Sequence, residues 1–141
     1  MIGHLQTNKV KDVLDFAVEI QSLDRLRLAA ALDRRLQQLG RGLDVLVQVN
    51  TSGEATKYGL APQDVPAFLT ELPAFTGLRV RGFMTLARFT SDLDEVRRCF
   101  RLLREIRDRA RQESLQRLPI KAPSEPPTAT AISHPGSGLG I

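Results

Sequence analysis

Hydrophobic and polar positions alternate most strictly between Leu43 and Asn50. Val45, Val47 and Val49 fall on one side, and Asp44, Leu46, Gln48 and Asn50 fall on the other. This period of two, rich in β-branched residues, predicts a strand over 43–50. Apolar side chains on both faces fit a parallel strand covered on both sides. Thr51, Ser52 and Gly53 then form a turn. Pro62 opens a helix over 62–72 that turns Val65, Phe68, Leu69 and Leu72 inward, and Pro73 ends it. A strand that runs into a polar, glycine-containing loop and then a helix is a βα unit. In such folds the ligand site lies beyond the carboxyl ends of the strands.

The same reading extends along the chain. Met1-Ile2-Gly3 is a stub of strand, so the chain opens inside an element, and a short helix follows over 5–14. Phe16, Val18 and Ile20 alternate and predict a strand over 16–21. Ser22-Leu-Asp24 gives an N-cap signal for a helix over 24–39, whose stripe is Leu28, Ala29, Leu32, Leu36 and Leu39 and whose C-cap is Gly40. A further strand is expected over 78–86. Asp92-Leu-Asp-Glu95 caps a last helix over 92–113, with Val96, Phe100, Leu103, Ile106 and Ala110 on one face. From Leu118 onward proline, serine, threonine and glycine replace any periodicity, which predicts a disordered tail over 118–141 beside a folded unit over 1–117. The order (β)αβαβαβα calls for about four parallel strands with right-handed crossovers, an open sheet or part of a barrel. Part of a barrel leaves unpaired sheet edges. It also leaves Val45, Val47, Val49, Phe83 and Met84 on an inner face without its opposite wall. Self-association through those edges follows as an expectation.

Composition narrows the function. The chain has 141 residues, 42% hydrophobic and 26% charged, as in a globular protein with a real core. A single Cys excludes an intrachain disulfide and a cysteine zinc site, and Cys99 reads as a small buried hydrophobe. No stretch is long and apolar enough to cross a membrane, and the N-terminus lacks a signal-peptide pattern, so the cytoplasm is the default location. His4 and His134 share no metal or triad pattern. There is no Gly-x-Gly-x-x-Gly and no Walker A sequence. The net charge of +4 reflects arginines on the last helix, which would serve a basic nucleic-acid-binding fragment. Acidic residues interleave with them and no aromatic platform accompanies them, so no nucleic acid is expected.

Four words of the sequence carry a resemblance. They are Ile2-Gly-His-Leu-Gln-Thr-Asn-Lys9, Ile20-Gln-Ser-Leu-Asp-Arg25, Val45-Leu-Val-Gln-Val-Asn-Thr-Ser-Gly-Glu54 with Lys57-Tyr-Gly-Leu60, and Leu78-Arg-Val-Arg-Gly-Phe-Met-Thr-Leu86. In this order they resemble the pyridoxal phosphate homeostasis protein family over about residues 2–112. The resemblance implies an α/β fold of the alanine racemase type, here a partial (β/α)8 barrel. It implies pyridoxal 5′-phosphate at the C-terminal mouth and a cofactor-handling role rather than an enzyme. It places His4, Ser22, Asn50 and Met84 on the cofactor-facing wall, with no catalytic residue and no metal. The family's Schiff-base lysine belongs to a strand upstream of these words, and its phosphate-gripping segments belong downstream of the last helix. What remains is similar to the middle half of a barrel. Lys9, Lys11 and Lys57 fall on helix or loop positions, so cofactor binding in this chain is expected to be weak or absent. The competing reading is a non-catalytic interaction module that uses the open barrel edges.

Overall fold

The computed structural model describes residues 1, 3–54, 57–87, 90–117 and 131–132. A 3₁₀ turn at Thr7–Lys9 leads into α1 (Val10–Leu14), followed by β1 (Glu19–Leu23), α2 (Leu26–Leu39) and β2 (Leu43–Gln48). A 3₁₀ turn at Pro62–Asp64 leads into α3 (Val65–Glu71). Then come β3 (Leu78–Met84), α4 (Leu93–Arg117) and β4 (Ala131–Ile132). The four strands lie side by side in chain order, every pair parallel. A sheet that adds each strand beside the last, without reversing direction, has the winding of a barrel rather than of a doubly wound fold. The expected partial barrel is present.

The core forms between one face of the sheet and all four helices. Ile20, Leu23, Val45, Val47, Val49 and Phe83 meet Val10, Val13 and Leu14 of α1, Leu28, Leu32 and Leu36 of α2, Val65 and Phe68 of α3, and Leu103 and Ile106 of α4. This corrects one expectation. Val45, Val47, Val49 and Phe83 are covered by helices, not turned toward a missing wall, because crossover helices pack on the more β-branched face. Of that set only Met84 lies apart, in a second small cluster with Leu46 and Leu86.

Other expectations need adjustment. The strand expected over 16–21 starts at Glu19, and Phe16 and Val18 are 73% and 84% exposed. Their alternation arises in the approach to the strand. Ser22 does not cap α2. It is a buried residue of β1, and Arg25 stands at the N-cap with extended backbone. The Met1 stub does run beside β1. Its amine donates to Glu19 O at 2.6 Å and its carbonyl accepts from Gln21 N–H at 2.9 Å, the pattern of a parallel bridge centred on Ile20. Asp92 caps α4 as expected, accepting from Asp94 N–H at 3.0 Å and Glu95 N–H at 3.4 Å. Gly40 ends α2 as expected, its N–H bonded to Gln37 O. Of the expected disordered tail, 118–130 and 133–141, with His134, lie outside the described residues. Ala131–Ile132 departs from the expectation. It pairs in parallel with Phe83 and Met84, because an uncovered strand edge offers backbone N–H and C=O groups to any extended segment, whatever its composition.

The sheet's other face is charged near the strands' N-terminal ends. Asp44 Oδ1 meets Arg79 Nε at 2.6 Å and Arg81 Nε at 3.3 Å. The hydrogen bond and charge of Arg79 hold the Asp44 carboxyl below the usual carboxylate range, against the opposing effect of burial. A carboxyl whose folded value is depressed contributes stability above its unfolded value, and that contribution is lost as pH falls through the folded value. Both arginines are well exposed, so the pair is worth under about 1 kcal/mol. Denaturant midpoints of the wild type and Asp44→Asn should therefore differ slightly at neutral pH and converge in acid. A gap that widens on acidification contradicts this assignment.

Candidate functional site

Parallel strands deliver their C-terminal ends to one rim, and the loops that follow build the site there. Val49 and Leu60 form a parallel bridge beyond β2, with Asn50 N–H donating to Leu60 O at 2.8 Å and Leu60 N–H to Gln48 O at 2.9 Å. The loop between them folds around the Asn50 amide. Its Nδ2 donates to Glu54 O at 2.8 Å and Lys57 O at 3.4 Å. Its Oδ1 accepts from Ser52 N–H at 3.1 Å and Ser52 Oγ–H at 2.7 Å. All four positions of the amide are thereby used. Asn50 shapes the loop, and the chain closes on it through Gly59, whose φ is +113° and whose missing Cβ would stand 2.7 Å from Asn50 N.

Beneath the loop lies a buried polar chain. The Thr85 hydroxyl donates to Val49 O at 2.8 Å, so the 2.8 Å contact between Thr51 Oγ1 and Thr85 Oγ1 is a donation from Thr51. Cys99 Sγ of α4 donates to Thr51 O at 3.4 Å. Cys99 is fully buried, the bland role its sequence context implied.

The four sequence-derived residues sit in a row at this rim. His4 follows the Met1 stub, Ser22 is near the end of β1, Asn50 follows β2, and Met84 ends β3. His4 is brought to the loop after β2, where its ring stacks on Tyr58 with centroids 3.9 Å apart and planes inclined by 16°. Arg25 anchors that segment by donating to Leu5 O and to Asp24. His4 and Met84 are not neighbours; the stub and Met84 are three strand spacings apart, about 14 Å.

Two residues escaped sequence reading. One is Tyr58, the chain's single tyrosine, whose partner lies far away in sequence. The other is Gln48. Val47 faces the helices, so the residue after it, Gln48, faces the opposite side with Leu46, while Ser22 stands in the bulge between Ile20 and Leu23. Gly82 and Met84 are the β3 partners of Leu46 and Gln48. Ser22 is 0% and Gln48 3% exposed. Among the described residues, His4 Nδ1, Gln21 Oε1, Ser22 Oγ, Arg35 Nε and Gln48 Oε1 are buried atoms without a hydrogen-bond partner. A polar residue ending a valine-rich strand was the available signal for Gln48. A small apolar patch edged by unsatisfied polar groups is the chemistry of a ligand pocket. No lysine lies on a strand among the described residues. Lys9 is on the first 3₁₀ turn, Lys11 on α1 and Lys57 in the loop. No cluster of metal-ligating side chains occurs among the described residues, and none of their helices is long and apolar enough to cross a membrane.

Comparison with known proteins accords with this fold. The pyridoxal phosphate homeostasis protein of Aquifex aeolicus is 38% identical over 118 residues, which are 84% of this chain and 52% of that protein. The protein of the same name from Pseudomonas aeruginosa is 35% identical over 74% of this chain and 46% of its own. The chain thus spans about half the length of the curated relatives it matches. Among solved structures, PipY of Synechococcus elongatus, with pyridoxal phosphate bound, superposes with a TM-score of 0.73 at 28% identity, covering 82% of this chain and 53% of PipY. An alanine racemase of Clostridium difficile, at 14% identity and a TM-score of 0.64 over 93% of this chain and 34% of its own, shares the fold. The profile of the family described as alanine racemase, N-terminal domain, matches residues 1–135, and the chain belongs to that family.

Proposed function

We propose that this chain carries part of a pyridoxal 5′-phosphate site and takes up the cofactor weakly and without a covalent bond, in a handling rather than a catalytic role. The observation that carries the proposal is the pair of buried, unpartnered polar atoms, Ser22 Oγ and Gln48 Oε1, beside Leu46 and Met84 at the strand ends. The relatives named above support it. Ser22 and Met84 would hold the ring, and His4, stacked on Tyr58, would border it. Asn50 would fix the loop rather than touch the cofactor. When bound, the cofactor supplies an aldehyde reactive toward amines. The protein's part is to orient it and to keep water from the ring. Lys9 on the first 3₁₀ turn and Lys11 on α1 are exposed and off the strands, so they give no selective attachment.

A few neutral hydrogen bonds at about 1 kcal/mol each place the dissociation constant on the order of 1 mM. The test is an absorbance titration with pyridoxal 5′-phosphate, followed by borohydride reduction and peptide mapping. Saturable binding with scattered, substoichiometric labelling is expected. A single, fully labelled lysine overturns the non-covalent reading, and no saturable binding overturns the proposal.

A second reading has its own observation. Phe16 and Val18, strongly exposed beside β1, and the short pairing of β4 against β3 favour self-association. Sedimentation should show mass rising with concentration, and Phe16→Ser with Val18→Thr should suppress it. A monomer across the whole range removes this reading.

A further inference from the structure

We propose that the uncovered face of the sheet is an interface for a second copy of this chain, closed by reciprocal ion pairs between Glu19 of one copy and Arg79 of the other. Ile20, Val45 and Val80 pack against the helices, so Glu19, Asp44, Arg79 and Arg81 project from the opposite face. Glu19 pairs with Asp44 across β1 and β2, and Asp44 pairs with Arg79 across β2 and β3. These side chains therefore form a row across the sheet, acidic at the β1 end and basic at the β3 end. Arg79 and Arg81 both meet Asp44 through Nε, and both are more than half exposed. The ends of their guanidinium groups are thus open to a second carboxylate. Glu19 is half-buried, and its carboxylate accepts from Gln21 Nε2–H at 2.6 Å. No cation pairs with that carboxylate among the described residues.

The order of the charges selects the partner. Two acids and two arginines leave the row without net charge, so neither a polyanion nor a polycation is favoured. An apolar partner would strip water from these charges and return no hydrogen bond. A second copy matches each group, because homodimers close on a two-fold axis and residue i then meets residue j twice. An axis running along β2, between two facing sheets, lays β3 of one copy over β1 of the other. Arg79 then stands over Glu19 of the other copy, and the same pair recurs across the axis. Facing sheets pack about 10 Å apart, a gap that an arginine and a glutamate fill between them. The two Asp44 carboxylates meet at the axis, each already held by two arginines. The contact uses neither Phe16 and Val18 nor the edge of β3, and it closes at two copies.

The experiment is sedimentation of the full chain as wild type, Glu19→Arg, Arg79→Glu and an equimolar mixture of the two variants, with unfolding curves to show that each is folded. The wild type is expected to reach a dimer and go no further at low salt, and to dissociate at about 1 M salt. Each variant alone sets like charges against each other across the axis and should weaken the dimer by about tenfold or more. The mixture restores both pairs with their signs exchanged and should dimerise about as well as the wild type. Arg79→Glu also faces its own Asp44. If it does not fold, Arg79→Gln leaves Asp44 to Arg81 and should still weaken the dimer. A monomer at every concentration in low salt, a dimer indifferent to salt, variants that dimerise like the wild type, or a mixture of folded variants that stays monomeric each overturns the proposal. Mass that rises without limit, and falls only with Phe16→Ser and Val18→Thr, also overturns it while supporting self-association through those two residues.

Discussion

Replacing Gly59 by alanine should cost about 2–4 kcal/mol of stability, a large part of a small domain's total. Two effects combine. The backbone at φ +113° is strained for any residue with a Cβ, and that Cβ would meet Asn50 N at 2.7 Å and Val49 C at 3.0 Å. Both neighbours are main-chain atoms held by the bridge between Val49 and Leu60, so neither can yield cheaply. Gly53 provides the control. Its φ of +75° is also positive, but nothing lies within 4 Å of its would-be Cβ, so Gly53→Ala should cost only about 1 kcal/mol. Urea unfolding of the two variants side by side measures the difference. Equal losses would show that the tight approach of Gly59 to Asn50 contributes nothing. Gly59→Ala should also move Tyr58 from the face of His4 and perturb the His4 ring protons, which Gly53→Ala should leave unchanged.

Leu32→Ala should be comparably severe, at about 2–5 kcal/mol. Leu32 is fully buried in the middle of α2, in the core that joins the helices to the strands. The substitution removes apolar contact and leaves a cavity that neighbouring side chains, locked in close packing, cannot fill. Because α2 lies between β1 and β2 in the chain, the loss should appear as one cooperative transition at lower denaturant. A loss below about 1 kcal/mol would mean that α2 is only loosely docked.

How legible all this was in the sequence depended on whether side-chain pattern or main-chain pairing set each element. β2 was legible because its helix-facing valines alternate without interruption. β1 was displaced by three residues because its ladder carries a bulge between Ile20 and Leu23, which breaks the period of two where Gln21 and Ser22 stand. Phe16 and Val18 supplied a false continuation on the near side. Ser22 resembled a cap because serine before an acidic residue and a helix is the usual signal, but a strand end claimed it first. β4 left no trace because two residues completing an edge are recruited through their backbone. The positions of the candidate residues in the fold were legible in outline. His4, Ser22, Asn50 and Met84 could be placed at strand ends from recurring words, but words do not report hydrogen-bond saturation. That the Asn50 amide is fully engaged within its own loop, and Gln48 Oε1 has no partner, emerges only from three-dimensional accounting.

The unreversed order of the strands bears on how the protein comes into being. Each strand in the run β1, β2, β3 pairs with the one made just before it, and the helix made in between covers that new pair. Within the run β1, β2, β3 no strand waits for a later partner, so loop closure stays short at each of those steps. The molecule can therefore grow on the ribosome in the direction of synthesis, one βα unit at a time, with its rim of strand-end loops completed last at whichever edge is newest.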